Sequence, residues 1–140
     1  MPVEARAPVA RSERDEPINT TVLKTLRALQ REGRPDILTT LVTLFLDNAR
    51  VLLKDLERAA KDGDTELLGQ VSHALGSASA NIGASPLSAR CRELERMARA
   101  GSVLKPTAAV SAIGAEFRRA EAALAAHLAE AAKGTMGISA

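Results

Sequence analysis

Residues 66–84 read ELLGQVSHALGSASANIGA, and the helical phase of this stretch decides how the rest of the chain is read. Leu67, Leu68, Val71, Leu75, Ala78 and Ile82 recur at steps of three and four. At about 100° of rotation per residue they fall within one narrow arc, the core stripe of an amphipathic helix. His73 lies roughly 170° from the centre of that stripe by the same geometry, so its side chain projects away from the core. The positions that share its face are Gly69, Gly76, Ser77 and Ala80, all small. A glycine inside a helix costs about 1 kcal/mol relative to alanine, so two beside one histidine require compensation. Either a neighbouring helix crosses close by, or another protein brings its backbone up to the imidazole. The outward phase favours the second, and Gly69, Gln70, Gly76, Ser77 and Ala80 are read as a docking surface around His73.

The flanks supply a helical scaffold. Upstream, ILTTLVTLFLDNARVLLKDLERAA (37–60) is bounded by Pro35 and Asp36 before it and Gly63 after it, which gives a long helix. Its apolar positions cover about 220° of arc, wider than a one-sided stripe, so this helix either is central in a bundle or offers an edge to a partner. Asp64 is placed to cap the helix of His73. Before these, Asn19 and Thr20 precede Val22, Leu23, Leu26 and Leu29 at helical spacing, a short first helix stopped by Gly33. Downstream, Ser85 and Pro86 open a helix that turns Leu87, Cys91, Leu94 and Met97 inward and ends at Gly101. Val110, Ile113, Phe117, Leu124 and Leu128 then form the seam of a last helix, with His127 at its margin as a structural histidine. Residues 1–17, with three prolines and many charges, are expected to be a flexible tail or linker, 18–133 the bundle, and 134–140 a frayed end.

Composition narrows the class. Only 1% of the 140 residues are aromatic while 46% are hydrophobic, so the core must be built from aliphatic side chains and alanine, which favours closely packed helices. A net charge of +2, with basic and acidic residues mixed and no aromatic interleaving, argues against nucleic acid. No apolar run approaches the roughly 20 residues of a membrane-spanning helix, and a single Cys91 makes neither an internal disulfide nor a multi-cysteine metal site. A cytoplasmic monomer without a cofactor of its own is expected.

A lone outward histidine restricts the chemistry further. It lacks the second ligand that a metal needs, and the chain has neither a glycine-rich phosphate loop nor a nucleophile elbow. An exposed imidazole on a convex helix can still be a nucleophile, taking a group on one ring nitrogen and surrendering it in a partner's active site. That is a phosphocarrier and not a self-contained enzyme.

The stretch from His73 to Ala84, HALGSASANIGA, resembles the histidine-containing phosphotransfer (HPt) family, whose pattern is similar to H-x-L-K-G-S-S-x-x-x-G-A. His73, Leu75, Ser79, Gly83 and Ala84 match it at the same spacing, and with the preceding helix and its acidic turn the likeness extends over roughly residues 18–130. The resemblance implies an all-α, up-down antiparallel four-helix bundle with an additional short N-terminal helix. It also implies His73 as phosphoacceptor, exchanging a phosphoryl group with the aspartate of a receiver domain in a response regulator or hybrid sensor histidine kinase, with magnesium held by that receiver. Two departures stand out: the pattern's lysine is Gly76 here, and its following glycine is Ser77. Arg50, Lys54 and Arg90 are the candidates to replace the missing cation. The missing lysine also supports a rival reading, a bundle of this shape that holds a partner by contact alone.

Overall fold

The computed structural model describes residues 16–29 and 36–139, and among these the chain is helical, without a strand. Helix α1 is Thr20–Ala28, α2 Ile37–Asp62, α3 Thr65–Ile82, α4 Ser85–Arg99 and α5 Pro106–Ser139. Side-chain caps set three of the starts: Asn19 accepts from the Thr21 N–H at 2.9 Å, Asp36 from Thr39 at 3.1 Å and Asp64 from Leu67 at 3.0 Å. Gly63 and Gly83 terminate α2 and α3 in the left-handed conformation, with φ of 69° and 86°. Connections this short force α2, α3 and α4 into antiparallel neighbours. Helix α5 then packs against both α2 and α4 and closes the four-helix bundle, while α1 lies across α2 and α3.

Leu38, Val42, Phe45, Leu56, Leu68, Leu75, Leu87, Leu94, Ile113, Phe117 and Leu124 fill the interior. The two phenylalanines meet there, ring centroids 6.4 Å apart and tilted by 46°. The breadth of the α2 apolar arc follows from its position between α3 and α5, with Leu41, Leu46, Leu52 and Leu53 packed at the margins of the core. Leu44 and Val51 remain outside, 60% and 59% exposed. Cys91 is fully buried, and burial pushes its thiol up to about 12. No described helix is long and apolar enough to cross a membrane.

The N-terminal helix is held by the turn that ends α3. The Asn19 N–H donates to the Gly83 carbonyl at 2.7 Å, Ile18 is buried, and a β-carbon on Gly83 would stand 2.9 Å from that of Val22. Glycine is therefore required at 83 twice, by its positive φ and by the close approach of α1.

The boundaries differ from expectation at one end. Residues 134–139, expected to fray, continue α5 to Ser139; propagating a helix from an alanine-rich run is cheaper than nucleating one. The tail expected over 1–17 lies outside the described residues up to residue 15, as does the stop expected at Gly33.

The tightest contact is between α3 and α4, and it is made by small residues. A β-carbon on Gly69 would lie 3.4 Å from Ala98 Cβ, and one on Gly76 3.2 Å from Cys91 Cβ. Because Gly76 has no side chain, the Ser88 hydroxyl of α4 reaches across and donates to its carbonyl at 2.9 Å. Ser72 and Ser79 are fully buried on the same flank, Ser79 bonded to the Leu75 carbonyl at 2.7 Å. The Ser72 hydroxyl is buried without a partner. Two substitutions test this crossing by thermal melting. Gly76→Leu forces the helices apart and should cost about 1–3 kcal/mol, lowering the melting temperature by several degrees. Ser72→Ala keeps the small volume and removes an unpaired hydroxyl, so stability should rise by up to about 1 kcal/mol.

Candidate functional site

His73 stands in the middle of α3 with its side chain 61% exposed, on the side opposite Val71 and Leu75, which are buried. The phase of the leucine stripe, carried by a regular helix without an interrupting proline, is what turns it outward. Its surroundings differ from the sequence expectation. Gln70 and Ser77 are exposed and Ala80 is half-buried, but Gly69 and Gly76 are buried beneath α4. The two glycines are therefore not part of an exposed docking surface. They lie on one flank of His73, and the helix that crosses close to them is the domain's own. Ser77 lies on the other flank and stays open.

The crossing brings α4 side chains to the imidazole. His73 Nδ1 is 3.0 Å from Glu95 Oε2, across 22 residues of sequence. Glu95 is held in turn by Arg99, whose Nε and terminal nitrogen stand 2.8 Å and 2.7 Å from the same oxygen. Partial burial pushes the Glu95 carboxyl up, but the hydrogen bond from Arg99 and the charges of His73 and Arg99 outweigh it and hold the carboxyl below its usual value. An ionised carboxylate can only accept, so Nδ1 must carry the proton and donate. In the neutral ring Nε2 then keeps its lone pair, and it makes no hydrogen bond among the described residues. The site is thus an exposed imidazole on a convex surface, oriented through Nδ1 by a carboxylate of the neighbouring helix.

Of the candidate cations, Arg50 is committed to Asp47 at 3.2 Å and to Glu121 of α5. Arg90 lines a groove between α4 and α5 together with Pro86, Glu93 and Met97, on a different side of α4 from Glu95. Lys54 is exposed on α2. Glu95 and Arg99 escaped the sequence reading because their relation to His73 depends on the register of two helices and has no signature in local spacing. A signal for the crossing itself was present: Gly69, Ser72, Gly76, Ser79 and Gly83 form a small-residue stripe at steps of three and four.

Two comparisons bear on this geometry. The Hpt domain family matches residues 40–133. Among solved structures, the histidine-containing phosphotransfer protein B from Pseudomonas aeruginosa PAO1 superposes with a TM-score of 0.71 at 25% sequence identity, over 79% of this chain and 93% of that one. No curated protein matches the chain.

The tautomer assignment predicts a spectroscopic result. At a pH where the ring is neutral, His73 should show a protonated Nδ1 and an unprotonated Nε2 in nitrogen-15 spectra. Glu95→Ala should release it to the Nε2–H form that dominates free imidazole. The sign of the pH dependence follows from the depressed Glu95 value. The contact is fully present above the usual carboxylate range of about 4 and is lost as pH falls through the lower folded value.

Proposed function

The chain belongs to the Hpt domain family, whose members are phosphocarriers that work with receiver domains, and from that premise we propose that His73 is the phosphoacceptor of a His-Asp relay. The observation that carries the proposal is the exposed His73 ring with Nδ1 held 3.0 Å from Glu95 Oε2, an arrangement that leaves Nε2 its lone pair in the neutral ring.

The proposed transfer begins with a receiver's aspartyl phosphate seated over α3. The Nε2 lone pair attacks phosphorus and forms the N–P bond, while the P–O bond of the acyl phosphate breaks and its electron pair stays on the aspartate carboxylate. The Nδ1 proton does not move. The ring gains positive charge as the bond forms, and Glu95 faces that charge across the hydrogen bond. In the onward step the N–P bond breaks toward a second receiver's aspartate and the electron pair returns to Nε2. The retained Nδ1 proton lets the leaving group depart as neutral imidazole instead of an imidazolate anion. Phosphoryl transition states are loose and ask for positioning and charge compensation more than covalent machinery, which suits a domain whose histidine stands on a convex face. Magnesium and the remaining charge compensation are assigned to the receiver.

The proposed dock consists of the exposed surface around His73, including Gln70, Ser77 and the open part of Ala80, with the apolar edge of α2 at Leu44 and Val51 completing it. The domain is proposed to act as a cytoplasmic monomer. The test uses a phosphorylated receiver and His73→Gln. The wild-type chain should acquire base-stable, acid-labile phosphate and the variant none, while the variant's melting curve stays unchanged because the replaced ring is exposed. Phosphate appearing on the variant would show that another residue is the acceptor. Receiver binding without phosphate on the wild-type chain would leave a contact module instead.

A further inference from the structure

A phosphoryl group on Nε2 would place up to two negative charges beside α3, close to the Glu95 carboxylate. One turn beyond His73, where a long basic side chain would meet that group, α3 carries Gly76. The space is not empty. A β-carbon at Gly76 would lie 3.8 Å from Arg92 Cγ, so the stem of an α4 arginine passes over the bare backbone at this point. Arg92 also stands three residues before Glu95, so the two share one face of α4.

The arginines of α4 differ in their commitments. Arg96 pairs with Glu93 at 3.3 Å, and Arg99 pairs with Glu95 at 2.7 Å. Arg92 is exposed and forms neither a hydrogen bond nor an ion pair among the described residues. It is the uncommitted guanidinium of the surface that holds the imidazole, and its planar donors match a phosphoryl group's oxygens. Arg99 offsets the Glu95 charge, which reduces the repulsion that this carboxylate would exert on an incoming phosphate.

We propose that Arg92 is the phosphoryl-binding cation of this domain, reaching from α4 over Gly76 to donate to the non-bridging oxygens of a phosphoryl group on His73 Nε2. The assignment rests on His73 being the acceptor. It replaces a cation on the histidine's own helix with one from the neighbouring helix, and the glycine at 76 is what lets the arginine cross.

The experiment uses the full chain and potassium phosphoramidate, a small donor that needs no receiver. The donor's P–N bond breaks, ammonia leaves, and the N–P bond forms at Nε2. Wild type, Arg92→Gln, Arg92→Lys and His73→Gln are compared by phosphorus-31 spectra and by the rate at which phosphate accumulates. Arg92→Gln should slow phosphorylation about three- to tenfold, the scale expected for one solvent-exposed cation. It should also shift the phosphohistidine resonance and leave the melting temperature unchanged. Arg92→Lys should recover part of the rate, and raising the salt concentration should narrow the gap between wild type and Arg92→Gln. An Arg92→Gln protein with wild-type rate and resonance would overturn the assignment while leaving His73 as acceptor. A wild-type chain that takes phosphate from neither phosphoramidate nor a phosphorylated receiver would instead overturn the acceptor reading, and the Arg92 assignment would fall with it.

Discussion

The close crossing of α3 and α4 sets the geometry of the whole site. Helices packed through leucines stand 8–10 Å apart at about the usual separation, whereas glycine, alanine, serine and cysteine at the contact let backbones approach more closely. Here Gly69 meets Ala98, Gly76 meets Cys91, and Ser88 bonds directly to the Gly76 carbonyl. The cost of two helical glycines, about 1 kcal/mol each, is offset by buried contact and a cross-helix hydrogen bond. With that separation fixed, side chains on the rim of α4 reach the face of α3 that carries His73. A wider crossing would leave Glu95 short of the imidazole.

The electrostatics follow from that placement. Glu95 is mostly covered, its side chain 16% exposed, and it is bonded from two sides by His73 and Arg99. Two donors on one carboxylate keep it ionised, and an ionised carboxylate determines which ring nitrogen carries the proton. The tautomer of His73 is thus decided by a residue 22 positions away, through a carboxylate whose own charge depends on a third residue. Each link is a surface-edge interaction of modest strength, yet together they distinguish the two ring nitrogens.

The sequence made the fold largely legible because each helix has its own punctuation. Asp36 and Asp64 cap α2 and α3, Gly63 and Gly83 end them, and the Leu, Val and Ile phases point each helix at the core. The orientation of His73 was readable for the same reason, since one regular helix fixes the phase of all its residues. The docking role given to Gly69 and Gly76 did not survive. Hydrophobicity scores large residues, so an arc defined by leucines understates what is buried when the second contact face is built from glycine and serine. The steps from Gly69 through Ser72, Gly76 and Ser79 to Gly83 hold that second face in plain view. What the sequence could not supply was the partner of the histidine, because pairing Glu95 with His73 requires the relative register of two helices and the rotamers at their rim.

Packing and charge at position 76 are therefore one problem. A lysine there would bring a cation but also a β-carbon 3.2 Å from that of Cys91, closer than side chains ordinarily sit. To keep such a residue, α4 would have to give by a few tenths of an ångström at Cys91, on the helix that also carries Glu95. Glycine keeps the helices close and leaves α3 without a cation at that turn. In the proposed arrangement the compensation comes from α4, the same helix that the glycine admits and whose Arg92 passes over it.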